Sequence, residues 1–246
     1  SRVIAISEKI HVKYVQGRLA RSPELLLYIP PKPNLFEQNK AIPPEILERI
    51  YSDFEVDVRQ IGLMAETSGK MLIYSNQPLH EEYSPLFSVF STGLKDRDQR
   101  TFKAAYESGV DAYNGGEFPR AIRHFLDAAA IDDQPAILNY RLGRAYLELG
   151  EAEQGRSYIQ KSIDNDGLPL RSSSVLGGIL RQVPLESPAV KFIDSVTNFQ
   201  SALDLDIGLT NDDLFADFHH PSAIGHLIIA RGFITEMRKS RPLRNL

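Results

Sequence analysis

The chain contains no cysteine, so disulfides, thiolate chemistry and cysteine-based zinc sites are excluded. It contains no apolar run near the roughly 20 residues that a membrane-spanning helix needs. It also lacks a basic excess: 28 Lys and Arg stand against 32 Asp and Glu, for a formal net charge of -4. A dedicated nucleic-acid binder normally carries a basic face, so no nucleic-acid partner is expected. No signal peptide is visible, and the first residues, Ser1-Arg2-Val3-Ile4-Ala5-Ile6, lack an initiator Met, which points to a longer polypeptide upstream. Cysteine usage leaves the compartment open between cytoplasm and envelope.

What is present is an ordinary globular composition. The 246 residues are 42% hydrophobic and 24% charged, enough for one large domain or two small ones with a sizeable core. Ile4, Ile6, Ile10 and Val12 alternate as in a strand, and Leu25-Leu26-Leu27-Tyr28-Ile29 is a short apolar run, but length alone does not separate strand from helix there. Five prolines between Pro30 and Pro44 mark an irregular loop. Pro43-Pro44 then open a helix whose Ile46, Ile50, Phe54, Val58 and Ile61 recur every three or four positions, which predicts one buried face. Gly69 ends it, and Met71-Leu72-Ile73-Tyr74 follows as a strand. Helix, glycine and apolar strand in that order are the rhythm of a parallel sheet. In such sheets the loops after the strands build the binding crevice, which makes Asn76-Gln77-Pro78 a candidate site wall, with Asn76 a candidate substrate-binding residue.

Between 101 and 166 the sequence repeats at a spacing of 34. Gly109 aligns with Gly143, Gly116 with Gly150, Ala112 with Tyr146, Phe125 with Ile159, Ala121 with Gly155 and Ala128 with Ser162. Small residues at fixed points let two helices approach, and bulky ones fill the space between pairs. This is the pattern of tetratricopeptide repeats. Two repeats are fewer than the three usually needed alone, so the pair is expected to pack on another body. Val190-Lys191-Phe192-Ile193-Asp194 is a second strand candidate, and a helix with an apolar face of Ile224, Leu227, Ile228, Ile234 and Met237 runs from Pro221 to about Arg238.

The sharpest local feature is Asp217-Phe218-His219-His220-Pro221. A carboxylate three residues before a histidine can accept a hydrogen bond from the imidazole Nδ1–H, which leaves Nε2 as a general base. An aspartate before a helix is also a common cap. His219, His220, His226 and Asp213 are close in sequence, but the spacing of six between His220 and His226 is not a same-face helical pair, so no metal site is expected.

The segment Asp217-x-x-His220-Pro221, followed by Gly225 and an apolar helix, resembles the last motif block of SGNH/GDSL hydrolases. The order of parts resembles a bacterial-type subgroup with tetratricopeptide repeats inserted in the hydrolase domain. Its further support is Ile73-Tyr74-Ser75-Asn76 with Pro85 and Ser88, then Leu168-Pro169-Leu170-Arg171 after the repeats, and Phe192-Ile193-Asp194. The resemblance implies an α/β fold, a flavodoxin-like, partly parallel and incomplete sheet. It divides the chain into 1–100, a repeat insertion at 101–166, and 167–246. It implies a serine ester hydrolase or acyltransferase acting on an acyl-ester substrate, with His220 as catalytic base, Asp217 orienting it, and no cofactor. The Gly-Asp-Ser-like nucleophile block and the family's Gly and Gly-x-Asn oxyanion motifs are not found, so the nucleophile is unknown. Ser7, in Ile4-Ala5-Ile6-Ser7-Glu8, follows an apolar run but lacks the glycine. The alternative is a non-catalytic protein-interaction scaffold, its partner held in the concave face of the repeats by residues such as Tyr106, Asn114, Asn139 and Tyr146.

Overall fold

A proline at the first helical position has no intrahelical N–H to lose and already holds a helical φ. Accordingly α1 spans Pro44–Thr67. In this computed structural model, which describes residues 34–35, 41–169, 171–205, 209–217 and 219–240, Gly69 turns the chain out of α1 at φ 61, a conformation that costs glycine little. The strands among the described residues are short: β1 Asn34–Leu35, β2 Leu72–Ser75, β3 Phe87–Ser88 and β4 Val190–Ile193. β2 and β4 pair in parallel, with Leu72 opposite Val190 and Ser75 opposite Ile193.

The line of α1 that faces this ladder is narrower than its sequence suggests. Val58 and the half-buried Phe54 pack against Ile179, Val183 and Val190. Gly62, one turn on, lets α1 come close: a Cβ there would lie 3.3 Å from Val190 Cγ2. The Tyr74 hydroxyl donates to the Val58 carbonyl at 2.8 Å. Ile46, Ile50 and Ile61, expected on the buried face, are instead 40%, 45% and 48% exposed.

Most of the buried core lies in four helices that follow the loop after β3. These are α2 Asp96–Asn114, α3 Phe118–Ala129, α4 Ala136–Glu148 and α5 Ala152–Asp164. They form two tandem helical hairpins with equivalent contacts 34 residues apart. A Cβ on Gly109 would stand 2.5 Å from the Phe125 ring, and one on Gly143 would stand 2.8 Å from Ile159. The hairpin turns use Gly116 and Gly150 at φ 75 and 78. Phe102, Phe125, Leu138 and Leu142 are fully buried in the shared cluster.

The chain then returns through α6 Ser174–Gln182, a 3-10 turn at Val183–Leu185, β4, α7 Ser195–Leu203, α8 Asn211–Leu214 and α9 Ala223–Ser240. Side-chain caps start α7 and α8. Asp194 accepts from the Thr197 N–H at 3.1 Å, and Thr210 and Asp213 make a reciprocal capping box. Phe199, Leu214 and Phe215 form a small core under α9.

This architecture overturns the expected α/β fold, and with it the resemblance to SGNH/GDSL hydrolases. The described chain is predominantly helical. β2 and β4 pair only with each other, and no further strand extends their ladder among the described residues. Each residue of β2 is only half-buried, whereas a flavodoxin-like sheet is covered by helices on both faces. The strand candidates at Ile4–Val12 and Leu25–Ile29, and Ser7, lie outside the described residues. No helix among the described residues is long and apolar enough to cross a membrane.

Candidate functional site

The loop between α8 and α9 is closed by backbone. Phe215 and Pro221 form an antiparallel bridge, and the Ala216 N–H donates to the His220 carbonyl at 2.8 Å. Gly225 permits α9 to start so close: a Cβ there would lie 2.4 Å from the Leu214 carbonyl oxygen. Ser222 fastens the same corner, its hydroxyl donating to the Asp213 carbonyl at 2.6 Å.

Inside this loop the Asp217 carboxylate is turned inward. Its Oδ1 accepts from the N–H groups of His219 and His220 at 3.0 and 2.8 Å, and its Oδ2 lies 2.7 Å from His220 Nδ1. Burial pushes the Asp217 pKa up, but the two N–H donors and the His220 imidazole outweigh it and hold the carboxyl below its ordinary value. The His219 ring lies 3.7 Å from that of His220, centre to centre. Burial first, and His220 second, lower the His219 pKa against the pull of Asp217. Asp217, His219 and His220 each bring one potential ligand atom to within 4.8 Å of the other two. The structure thus joins Asp217 to His220 as their spacing predicts, and adds His219. The other two residues near this block in sequence turn away from it: Asp213 caps α8, and His226 Nδ1 meets the Ser222 carbonyl at 2.8 Å.

Asn76 sits elsewhere, at the C-terminal end of β2. Its Nδ2 donates to Asp194 at 2.9 Å and its Oδ1 accepts from the Ser195 and Val196 N–H groups at 2.7 and 3.3 Å. Both ends of the amide therefore tie β2 to the start of α7. The next residue does reach the histidine loop, since Gln77 Nε2 donates to the His219 carbonyl at 3.1 Å. His80, unremarked in the sequence, is 2% exposed and lies edge-on to Tyr83 with its Nε2 3.2 Å from Asp212. Burial, more than that partner, sets its pKa, which is lowered.

Comparison with protein-family models, with curated proteins and with solved structures finds no match.

These placements correct the expected activity. A serine ester hydrolase or acyltransferase needs a hydroxyl hydrogen-bonded to the base, on a sheet that aims it. Among the described residues no serine hydroxyl hydrogen-bonds to His220, whose side chain is 62% exposed. The acyl-ester substrate falls with that site. The partner groove on the repeats is corrected as well. Tyr106 is enclosed between Phe102 and Phe125, and Asn139 is buried with its Nδ2 donating to the Asp133 and Pro135 carbonyls. Tyr146 stacks on Tyr158. The neighbouring Tyr140 hydroxyl donates to the Glu82 carbonyl, so the chain's own loop occupies part of that face.

Proposed function

We propose that this chain works without catalysis, as a protein-interaction scaffold. The helix stack α2–α5 carries this reading, because the largest buried cluster of the described residues is invested in a rigid framework. Contact area comes from outside the stack. Leu63 and Met64 on α1 are 61% and 65% exposed, and Leu227, Ile234 and Met237 on α9 are 69%, 50% and 47% exposed. Clustered apolar side chains on exposed helices are the material of protein interfaces.

The test is site-specific photo-crosslinking in native extract. A crosslinking side chain at Met64 or Leu227 is expected to trap a discrete partner protein. The same side chain at Asp127 on α3, whose side chain is 73% exposed, is expected to trap none. Equal, diffuse labelling from all three positions would overturn the scaffold.

A further inference from the structure

The cluster in the α8–α9 loop can do something that neither the fold nor the scaffold requires. Two imidazoles and a carboxylate are a donor set that suits borderline divalent transition cations, whereas Mg2+ and Ca2+ favour all-oxygen cages. Three protein ligands with one position open to water is a familiar arrangement for Zn2+.

We propose that Asp217, His219 and His220 form a binding site for a divalent transition cation of the Zn2+ type. The three donor atoms already lie within 4.8 Å of one another. At Zn–N and Zn–O distances of about 2.0–2.1 Å, tetrahedral ligands stand roughly 3.3 Å apart. Side-chain rotation closes that difference, and His220, with its side chain 62% exposed, has the room to rotate. The side chains of Asp217 and His219 are 38% and 24% exposed, so the site has an entry path and space for a water ligand.

The backbone groups of the ligand residues themselves are held in place. The Phe215–Pro221 bridge, the Ala216 N–H to His220 carbonyl bond and the Gln77 bond to the His219 carbonyl hold the loop from both sides. Little conformational entropy is then lost on binding. One nitrogen from each imidazole and one carboxylate oxygen would take the cation. The Asp217–His220 hydrogen bond gives way to bonds from both residues to the metal. Bound there, the cation cross-links three side chains of the loop that leads into α9. This proposal stands independently of the scaffold.

The experiment is isothermal titration of the chelator-stripped full chain with ZnCl2, paired with thermal melts. One equivalent of Zn2+ is expected to bind and to raise the melting temperature. His219→Ala and His220→Ala are each expected to weaken binding by at least about tenfold, with metal-free melting curves unchanged. Asp217→Asn, which keeps the side-chain shape, serves where an alanine variant does not fold, and is expected to lose the same tenfold. His226→Ala is expected to bind as the parent does. Unchanged affinity in either His219→Ala or His220→Ala would overturn the site, as would no binding. An equal loss in His226→Ala, or equal binding of Mg2+, would reveal an adventitious ion only and overturn it too.

Discussion

Replacing Phe125 by Ala is expected to cost about 3–5 kcal/mol of folding stability. The ring is fully buried where α3 meets α2. It faces Tyr106 at 5.9 Å between ring centres, and Gly109 presses on its edge so closely that a Cβ would stand 2.5 Å from it. The space vacated by the ring cannot be taken up locally. Gly109 has no side chain to extend, and Tyr106 is held by stacking on Phe102 at 6.1 Å. The transfer and cavity costs therefore add. Against a total stability of about 5–15 kcal/mol for an ordinary domain, such a loss is a large share. Urea unfolding of parent and variant checks it. A loss below about 1 kcal/mol would mean that the two hairpins do not depend on one shared core.

The second large effect is expected from Asp166→Ala. The side chains of Asp166 and Arg171 are 4% and 5% exposed and approach to 3.7 Å. The carboxylate accepts from the Leu86, Phe87 and Leu168 N–H groups at 2.8, 2.9 and 3.2 Å. Arg171 Nη1 donates to the Tyr83 carbonyl at 2.9 Å. Burial raises the Asp166 pKa and lowers that of Arg171, each against the attraction of its partner. Together they fasten the loop that enters β3 to the segment that leaves α5. Deleting the carboxylate strands a buried guanidinium and three N–H donors, at a cost of about 3–5 kcal/mol. Asp166→Asn keeps an acceptor and is expected to lose less. The same urea series measures both, and equal stability of parent and Asp166→Ala would contradict the structural role given to the pair.

Several elements were legible because a local rule governs them. The proline start of α1, its end at Gly69, and the strands at Leu72–Ser75 and Val190–Ile193 follow from residues within a few positions of each other. The Asp217–His220 hydrogen bond was legible for the same reason, since the two residues stand only three positions apart. Gly109 and Gly143, with Phe125 and Ile159, announce close helix approach through a spacing that survives into equivalent contacts.

What was misread depends on partners far along the chain. Two good strands suggested a broad sheet, but strand sequence does not state how many neighbours a strand will find, and β2 and β4 find only each other among the described residues. Ile46, Ile50 and Ile61 share a helical period with Val58, yet the apolar packing of α1 runs along Phe54, Val58 and Gly62, while its Arg59 and Glu66 engage Glu186 and Ser187. The partners of the Asn76 amide, on Asp194, Ser195 and Val196, were not legible from its place in a loop. His219 was weighed with Asp213 and His226, but loop closure, not position in sequence, sets that its ring turns to His220.

The most direct measurement of the central claim, a scaffold without catalysis, is reaction of this chain with a fluorophosphonate probe, read by intact mass. A serine activated by His220 would become covalently labelled. The parent chain is expected to form no stoichiometric adduct and to behave as His220→Ala does. A single adduct on the parent that disappears in His220→Ala would contradict it, and would make this chain an enzyme.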